Sequence, residues 1–173
     1  DKNIIFNNSS LPIGQYEPSK ELKLIKATGI IQESLACLKM LAAELNLPYR
    51  SDAIEKIIRD LIKDDKKPTM INMGNITTTM GLLSSMAKVI PSAGGRLPYP
   101  ALISWNNSFA LVKNSNAEFL ELASPSEGII KIKIEDLNNK FEQGYIEVLK
   151  IEKIDTTPQI KFGFQWLLPA INR

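Results

Sequence analysis

Near Pro98 the spacing of apolar residues changes from about four to two, and this switch constrains the fold more than any other feature of the chain. It places helices before strands. Upstream, Ile31, Leu35, Leu38, Ala42 and Leu45 keep i, i+4, i+7 spacing, which predicts an amphipathic helix over 32–45 ended by Asn46 and Pro48. A second stripe, Ile54, Ile57, Ile58, Leu61 and Ile62, follows Ser51 as a candidate cap and stops at the solvated turn Lys63-Asp64-Asp65-Lys66-Lys67-Pro68. A third, Ile76, Met80, Leu83, Ala87 and Ile90, predicts a helix after Asn75 that ends before Pro91 and the Gly94-Gly95 turn. Downstream, 99–105, 109–113, 119–123, 130–134 and 145–151 read as strands, interrupted by a short helix near 135–141. Ile130-Lys131-Ile132-Lys133-Ile134 alternates strictly, so one face of that strand is buried and the other wet, as in an antiparallel sheet. The expected fold class is α+β, with N-terminal helices packed on an antiparallel β-sheet.

The 173 residues, 44% of them apolar, suffice for one packed domain with an arm at either end. Residues 1–29 read as a linker or N-terminal arm, 30–153 as the domain, and 154–173 as a linker and a further apolar segment. The start lacks an initiator Met and a signal-peptide pattern, as expected of a cut from a longer chain, and no run of about 18 apolar residues occurs. A formal charge of +2, without a long basic block, argues against nucleic acid as a partner. The single cysteine, Cys37, suits a reducing compartment. No histidine occurs anywhere, which removes the usual base near neutral pH and the commonest metal ligand. No metal site and no cofactor are expected in this fragment.

Three local patterns, in order, resemble the bacteriocin-processing cysteine peptidase domain found at the N-terminus of certain ABC exporters. Ala36-Cys37-Leu38-Lys39-Met40 matches the second half of that family's Asp-Cys-Gly-x-Ala-Cys-Leu-x-Met segment. Pro100-Ala101-Leu102-Ile103, then Ser108-Phe109-Ala110-Leu111-Val112, follow its Pro-Ala-Leu strand and His-Phe-Val/Ile-Leu strand. Ala123-Ser124-Pro125-Ser126-Glu127-Gly128 follows its Ala-Asp-Pro-x-x-Gly. The resemblance covers about residues 30–151 and implies a papain-like fold.

Aligned without gaps from Cys37, the resemblance puts the family's nucleophilic cysteine at Glu33, its general-base histidine at Ser108, its orienting aspartate at Ser124 and its oxyanion-hole glutamine at Ala27. A rival alignment makes Cys37 the nucleophile, with Gln32 five residues before it, but thiolate attack needs an imidazole or its equivalent nearby. Cys37 on an apolar helix face reads more simply as a small buried hydrophobe. The expectation is a peptidase-like domain without catalytic residues, hence not an enzyme.

Phe162-Gly163-Phe164-Gln165-Trp166-Leu167-Leu168-Pro169-Ala170-Ile171 resembles the segment leading into the first membrane helix of haemolysin-type (type I secretion) exporters. Phe162, Phe164, Trp166 and Leu167 are therefore expected to be membrane-proximal. The implied function is a non-catalytic domain on the cytoplasmic side of the bacterial inner membrane that binds or retains the unfolded exported polypeptide. Its other partners would be the transmembrane and nucleotide-binding domains of the same exporter, the full-length protein being an ATPase. The alternative is a docking module for a transporter partner or accessory subunit, and the least favoured reading is an active leader peptidase. Tyr99, Trp105 and Tyr145 are the candidate substrate contacts.

Overall fold

The computed structural model describes residues 22–62 and 67–160. Helix α1 (Ile30–Glu44) begins after Gly29 and carries Glu33 in its first turn, where the carboxylate accepts the Gly29 N–H at 2.9 Å and meets the positive end of the helix dipole. Ser34, Leu35, Ala36, Cys37, Leu38, Met40, Leu41 and Ala42 are all buried, so α1 is a central rather than a surface helix. It ends where expected, at Asn46, whose positive φ of 60° takes the chain out of the helix.

Helix α2 (Ser51–Leu61) buries Ile54 and Ile58 and sets Glu55–Arg59 and Lys56–Asp60 pairs on its outer face. Ser51 does not cap it; the cap position is Arg50, without a side-chain bond, and Ser51 is the first helical residue. Helix α3 (Met70–Thr79) is capped reciprocally: Thr69 Oγ1 accepts the Asn72 N–H at 3.0 Å and Asn72 Oδ1 accepts the Thr69 N–H at 2.9 Å.

The third helix expected after Asn75 is thus displaced, and the stretch that would have completed it is strand β1 (Leu82–Val89). Gly81, at φ +95°, ends the helical path, and β1 then pairs along its whole length with the last strand. Leu83 and Ile90, read as core positions of a helix, are 54% and 62% exposed. Their spacing imitated a helical stripe with nothing to bury it.

A 3-10 turn (Pro91–Arg96) leads to β2 (Ala101–Trp105), β3 (Ser108–Ser115), β4 (Phe119–Ser124) and β5 (Gly128–Lys133). A further 3-10 turn, Ile134–Asp136, and the short α4 (Leu137–Lys140) precede β6 (Ile146–Lys153). The strands form one six-stranded sheet in the order β1-β6-β2-β3-β4-β5, antiparallel at every pairing. The α+β architecture is as the sequence implied.

The sheet is covered on both faces. Leu102, Phe109, Leu111, Ala123, Leu149 and Ile151 pack with α1–α3 on the front. Ala101, Ile103, Trp105, Ala110, Val112, Leu122 and Val148 form a second core on the back, closed by Leu97, Leu137 and Phe141. A wet face is therefore confined to edges such as β5, where Lys131 and Lys133 are exposed and Ile132 is buried. Gly94 and Gly95 serve this back cover: a Cβ on Gly94 would overlap Leu137 Cδ1, and one on Gly95 would overlap the Asn116 carbonyl.

Residues 154–160, expected to be linker, are held onto the domain. Thr157 Oγ1 donates to the Gly81 carbonyl at 2.5 Å and accepts the Ile154 N–H at 2.8 Å, while Ile160 N donates to the Asn46 carbonyl at 3.0 Å. The arm before residue 22 and the positions Phe162, Phe164, Trp166 and Leu167 lie outside the described residues.

Candidate functional site

Packing of α1 on β3 sets Cys37 against the strand that begins at Ser108, and Ala27 lies beside the end of the strand that carries Ser124. Cys37, one turn after Glu33, approaches the Phe109 carbonyl with Sγ at 3.5 Å, and Ser108 is the residue before Phe109. The Ala27 N–H donates to the Pro125 carbonyl at 3.0 Å, next to Ser124 at the end of β4. The side chains are engaged locally rather than with one another: Glu33 holds Gly29 N–H, and Ser124 Oγ accepts the Glu127 N–H at 3.2 Å. Alternation along β3 turns Phe109 toward α1 and Ser108 toward the back face, where it pairs with Trp105 across the β2–β3 hairpin.

Cys37 is 0% exposed. Burial, and after it the charge of Glu33, pushes its thiol far above the ordinary range, so the thiolate is strongly disfavoured. Tyr49, whose Oη donates to the Leu35 carbonyl at 3.2 Å, is pushed up to about 12 by burial and then by Glu55. Among the described residues, no group of His, Cys, Asp and Glu is arranged to hold a metal.

A cleft of about 670 Å3 opens beside the β2–β3 hairpin, with lining from both faces of the sheet. The first residue of α1, the Lys67–Ile71 entrance to α3, Met86, the β2–β3 hairpin with its Asn106-Asn107 turn, and Lys140, Phe141 and Gln143 line it, and Glu147 contributes from β6. Glu147 Oε1 accepts from Ser104 Oγ at 2.7 Å. Of the three aromatic residues expected to touch substrate, Trp105 lines this cleft while remaining 7% exposed, its ring tilted against Phe141 at 5.8 Å. Tyr99 is 55% exposed, Tyr145 lies under the Lys88 ammonium at 4.7 Å, and neither lines the cleft. The sequence reading missed Lys67, Thr69, Ser104, Lys140 and Glu147. They come from loops and strand ends that no local spacing links.

Helices packed on a six-stranded antiparallel sheet in this order match the papain-like class of fold. The chain belongs to the Peptidase C39 family, whose model matches residues 30–153. Among solved structures it is similar to a double glycine motif protease from an AMS/PCAT transporter in complex with the leader peptide, at 18% identity and TM-score 0.63, covering 79% of this chain and 96% of that one. It is also similar to the peptidase domain of Streptococcus ComA, a bi-functional ABC transporter involved in a quorum sensing pathway, at 12% identity and TM-score 0.61, covering 77% and 99%. The N-terminal peptidase C39 like domain of the toxin secretion ATP-binding protein from Vibrio parahaemolyticus gives 15% identity and TM-score 0.52, covering 70% and 97%. At these identities the likeness is one of fold. No curated protein sequence matches the chain.

The match to the C39 family overturns the expectation that the chain is not an enzyme, because it places the domain in a family of peptidases. That expectation rested on the residues aligned at the triad positions, Glu33, Ser108 and Ser124, on Ala27 at the oxyanion position, and on the lack of histidine. Family membership rests on the pattern of the domain from residue 30 to residue 153. No helix among the described residues is long and apolar enough to cross a membrane.

Proposed function

We propose that this C39 domain serves a protein-exporting ABC transporter of the haemolysin type, on the cytoplasmic side of a bacterial inner membrane, and that its cleft beside the β2–β3 hairpin receives the exported polypeptide in an extended, unfolded form. The observation that carries this reading is the cleft itself. Its volume of about 670 Å3 suits a few residues of peptide, and its walls come from both faces of the sheet. The pattern Phe162-Gly163-Phe164-Gln165-Trp166 supports placement just ahead of a transmembrane domain. Tethering to the transporter raises the local concentration of a captured chain, so weak intrinsic affinity is sufficient.

The test uses Ile71, which lines the cleft and is 61% exposed, so its replacement leaves the core intact. Saturable binding of an unfolded exported chain, weakened at least about tenfold by Ile71→Arg, is the expected result. Mass spectrometry of the same mixtures reads any cut in the bound chain. Binding that prefers a folded partner, or that ignores Ile71→Arg, would replace this reading with that of a docking module.

A further inference from the structure

Two buried polar atoms make no hydrogen bond to the described residues: Nε1 of Trp105 and Oγ of Ser108. Their residues are directly paired across the β2–β3 ladder, so the two side chains stand on the same face of the sheet. Both residues line the cleft. A donor held unpaired in a dry setting is costly to the fold, and the low local dielectric strengthens any bond that it goes on to make.

The rest of the cleft leans positive. Lys67 and Lys140 stand on its walls. Met70 and Ile71, the first two helical residues of α3, line it as well. The N–H groups of a first helical turn have no intrahelical acceptor, and the capping box of α3 occupies those of Asn72 and Thr69 rather than these. The positive end of the α3 dipole adds to the field of the two ammonium groups. One acid opposes them, Glu147, and its Oε1 is occupied by Ser104.

We propose, building on the polypeptide-binding reading above, that the cleft selects a carboxylate on the bound chain, taken by the Trp105 indole N–H and the Ser108 hydroxyl, with the lysines and the α3 dipole adding only their field. A carboxylate is acceptor-only on both oxygens, which suits an indole that can only donate and a hydroxyl free to rotate its proton. A neutral amide offers one acceptor oxygen in place of two and lacks the charge that the lysines and the α3 dipole attract. Neither atom is open to solvent, so a bound carboxylate reaches them only once neighbouring side chains turn aside. The carboxylate comes from the end of a chain or from an Asp or Glu side chain.

Four nonapeptides of Ser, Ala and Leu separate these sources: one with a free C-terminus, one amidated, and two amidated with a central Glu or a central Gln. The full chain carries Trp166→Phe so that Trp105 gives the single indole resonance. Titration calorimetry and the 1H–15N indole signal are recorded for each peptide. The expected result is that an acidic peptide binds about fivefold or more tightly than its neutral counterpart and moves the Trp105 signal. Ser108→Ala and Trp105→Phe then abolish the preference. Preference for the free C-terminus assigns the site to chain ends, and preference for Glu assigns it to side chains. Equal affinity of acidic and neutral peptides overturns the carboxylate site and leaves polypeptide binding standing, whereas binding by none of the four overturns both. Should Trp105→Phe fail to fold, Ser108→Ala decides alone: a preference that survives it belongs to the lysines and overturns the proposed site.

Discussion

Replacing Cys37 by Ala tests the packing of α1 on β3 through the pH dependence of stability. The thiol is fully buried, with only the Phe109 carbonyl as a weak acceptor at 3.5 Å. Removing the sulfur costs about 1 kcal/mol near neutral pH, from lost transfer energy and the small void left behind. The folded thiol is held far above its ordinary range by burial and then by Glu33, whereas an unfolded cysteine ionises at about 8.5. The folded-state value is raised, so this contribution is fully present below the unfolded value and is lost as pH climbs above it. Between pH 8 and pH 10 the unfolded wild-type chain gains a thiolate that the native state refuses, worth about 2 kcal/mol at roughly 1.4 kcal/mol per unit. Other groups titrate alike in both proteins and cancel in the difference. Urea melts of wild type and Cys37→Ala at the two pH values should therefore converge or cross as pH rises. Alkylation of the native wild type should be slow and should accelerate on unfolding. Parallel stability profiles, or rapid labelling of the native state, would refute the argument.

Thr69→Ala removes the acceptor that caps α3, and a loss of about 1 kcal/mol in chemical denaturation is expected. Gly95→Ala forces a methyl group against the Asn116 backbone, which cannot swing aside as a side chain can, so a drop in melting temperature with loss of the near-ultraviolet signal of Trp105 should follow. Thr157→Val orphans the Gly81 carbonyl and the Ile154 N–H; it should cost about 1–3 kcal/mol and speed amide exchange in the 154–160 segment. Tyr49→Phe removes one part-buried hydrogen bond to Leu35 and should cost about 1 kcal/mol while flattening the alkaline limb of the stability curve.

The layer order was legible because apolar period is a local property. The stripes of α1 and α2, and the alternation of β5, could each be recognised within about a dozen residues. The segment from Leu82 to Val89 defeated that reasoning because it is an edge strand with most of its side chains in solvent. Its identity is decided by hydrogen bonds to β6, more than fifty residues away, and by the turn at Gly81. Central strands such as Ser108–Ser115 hid their second buried face for a similar reason, because the cover comes from Leu137 and Phe141 in a later segment. The site divides along the same line. Of the positions singled out in the sequence, Ser108 and Trp105 line the cleft, whereas Glu33 and Ser124 do not. The cleft's charged wall, Lys67, Lys140 and Glu147, exists only after three separated segments have been packed together.

The back core needs nothing from the N-terminal helices, since its buried members all fall between Leu97 and Val148. The front core, by contrast, joins α1–α3 to residues as late as Leu149 and Ile151. During synthesis from the N-terminus, then, the helices emerge first with no surface to lie on, and β1 waits for a partner strand that is made last. The sheet and its rear cover can collapse as soon as the chain reaches β6, and the waiting helices then have a wall to close against. A ribosome paused before Ile146 would hold the helical layer open, with Leu38, Leu41 and Met73 unshielded, and chaperone capture should peak there and fall once β6 has cleared the exit tunnel.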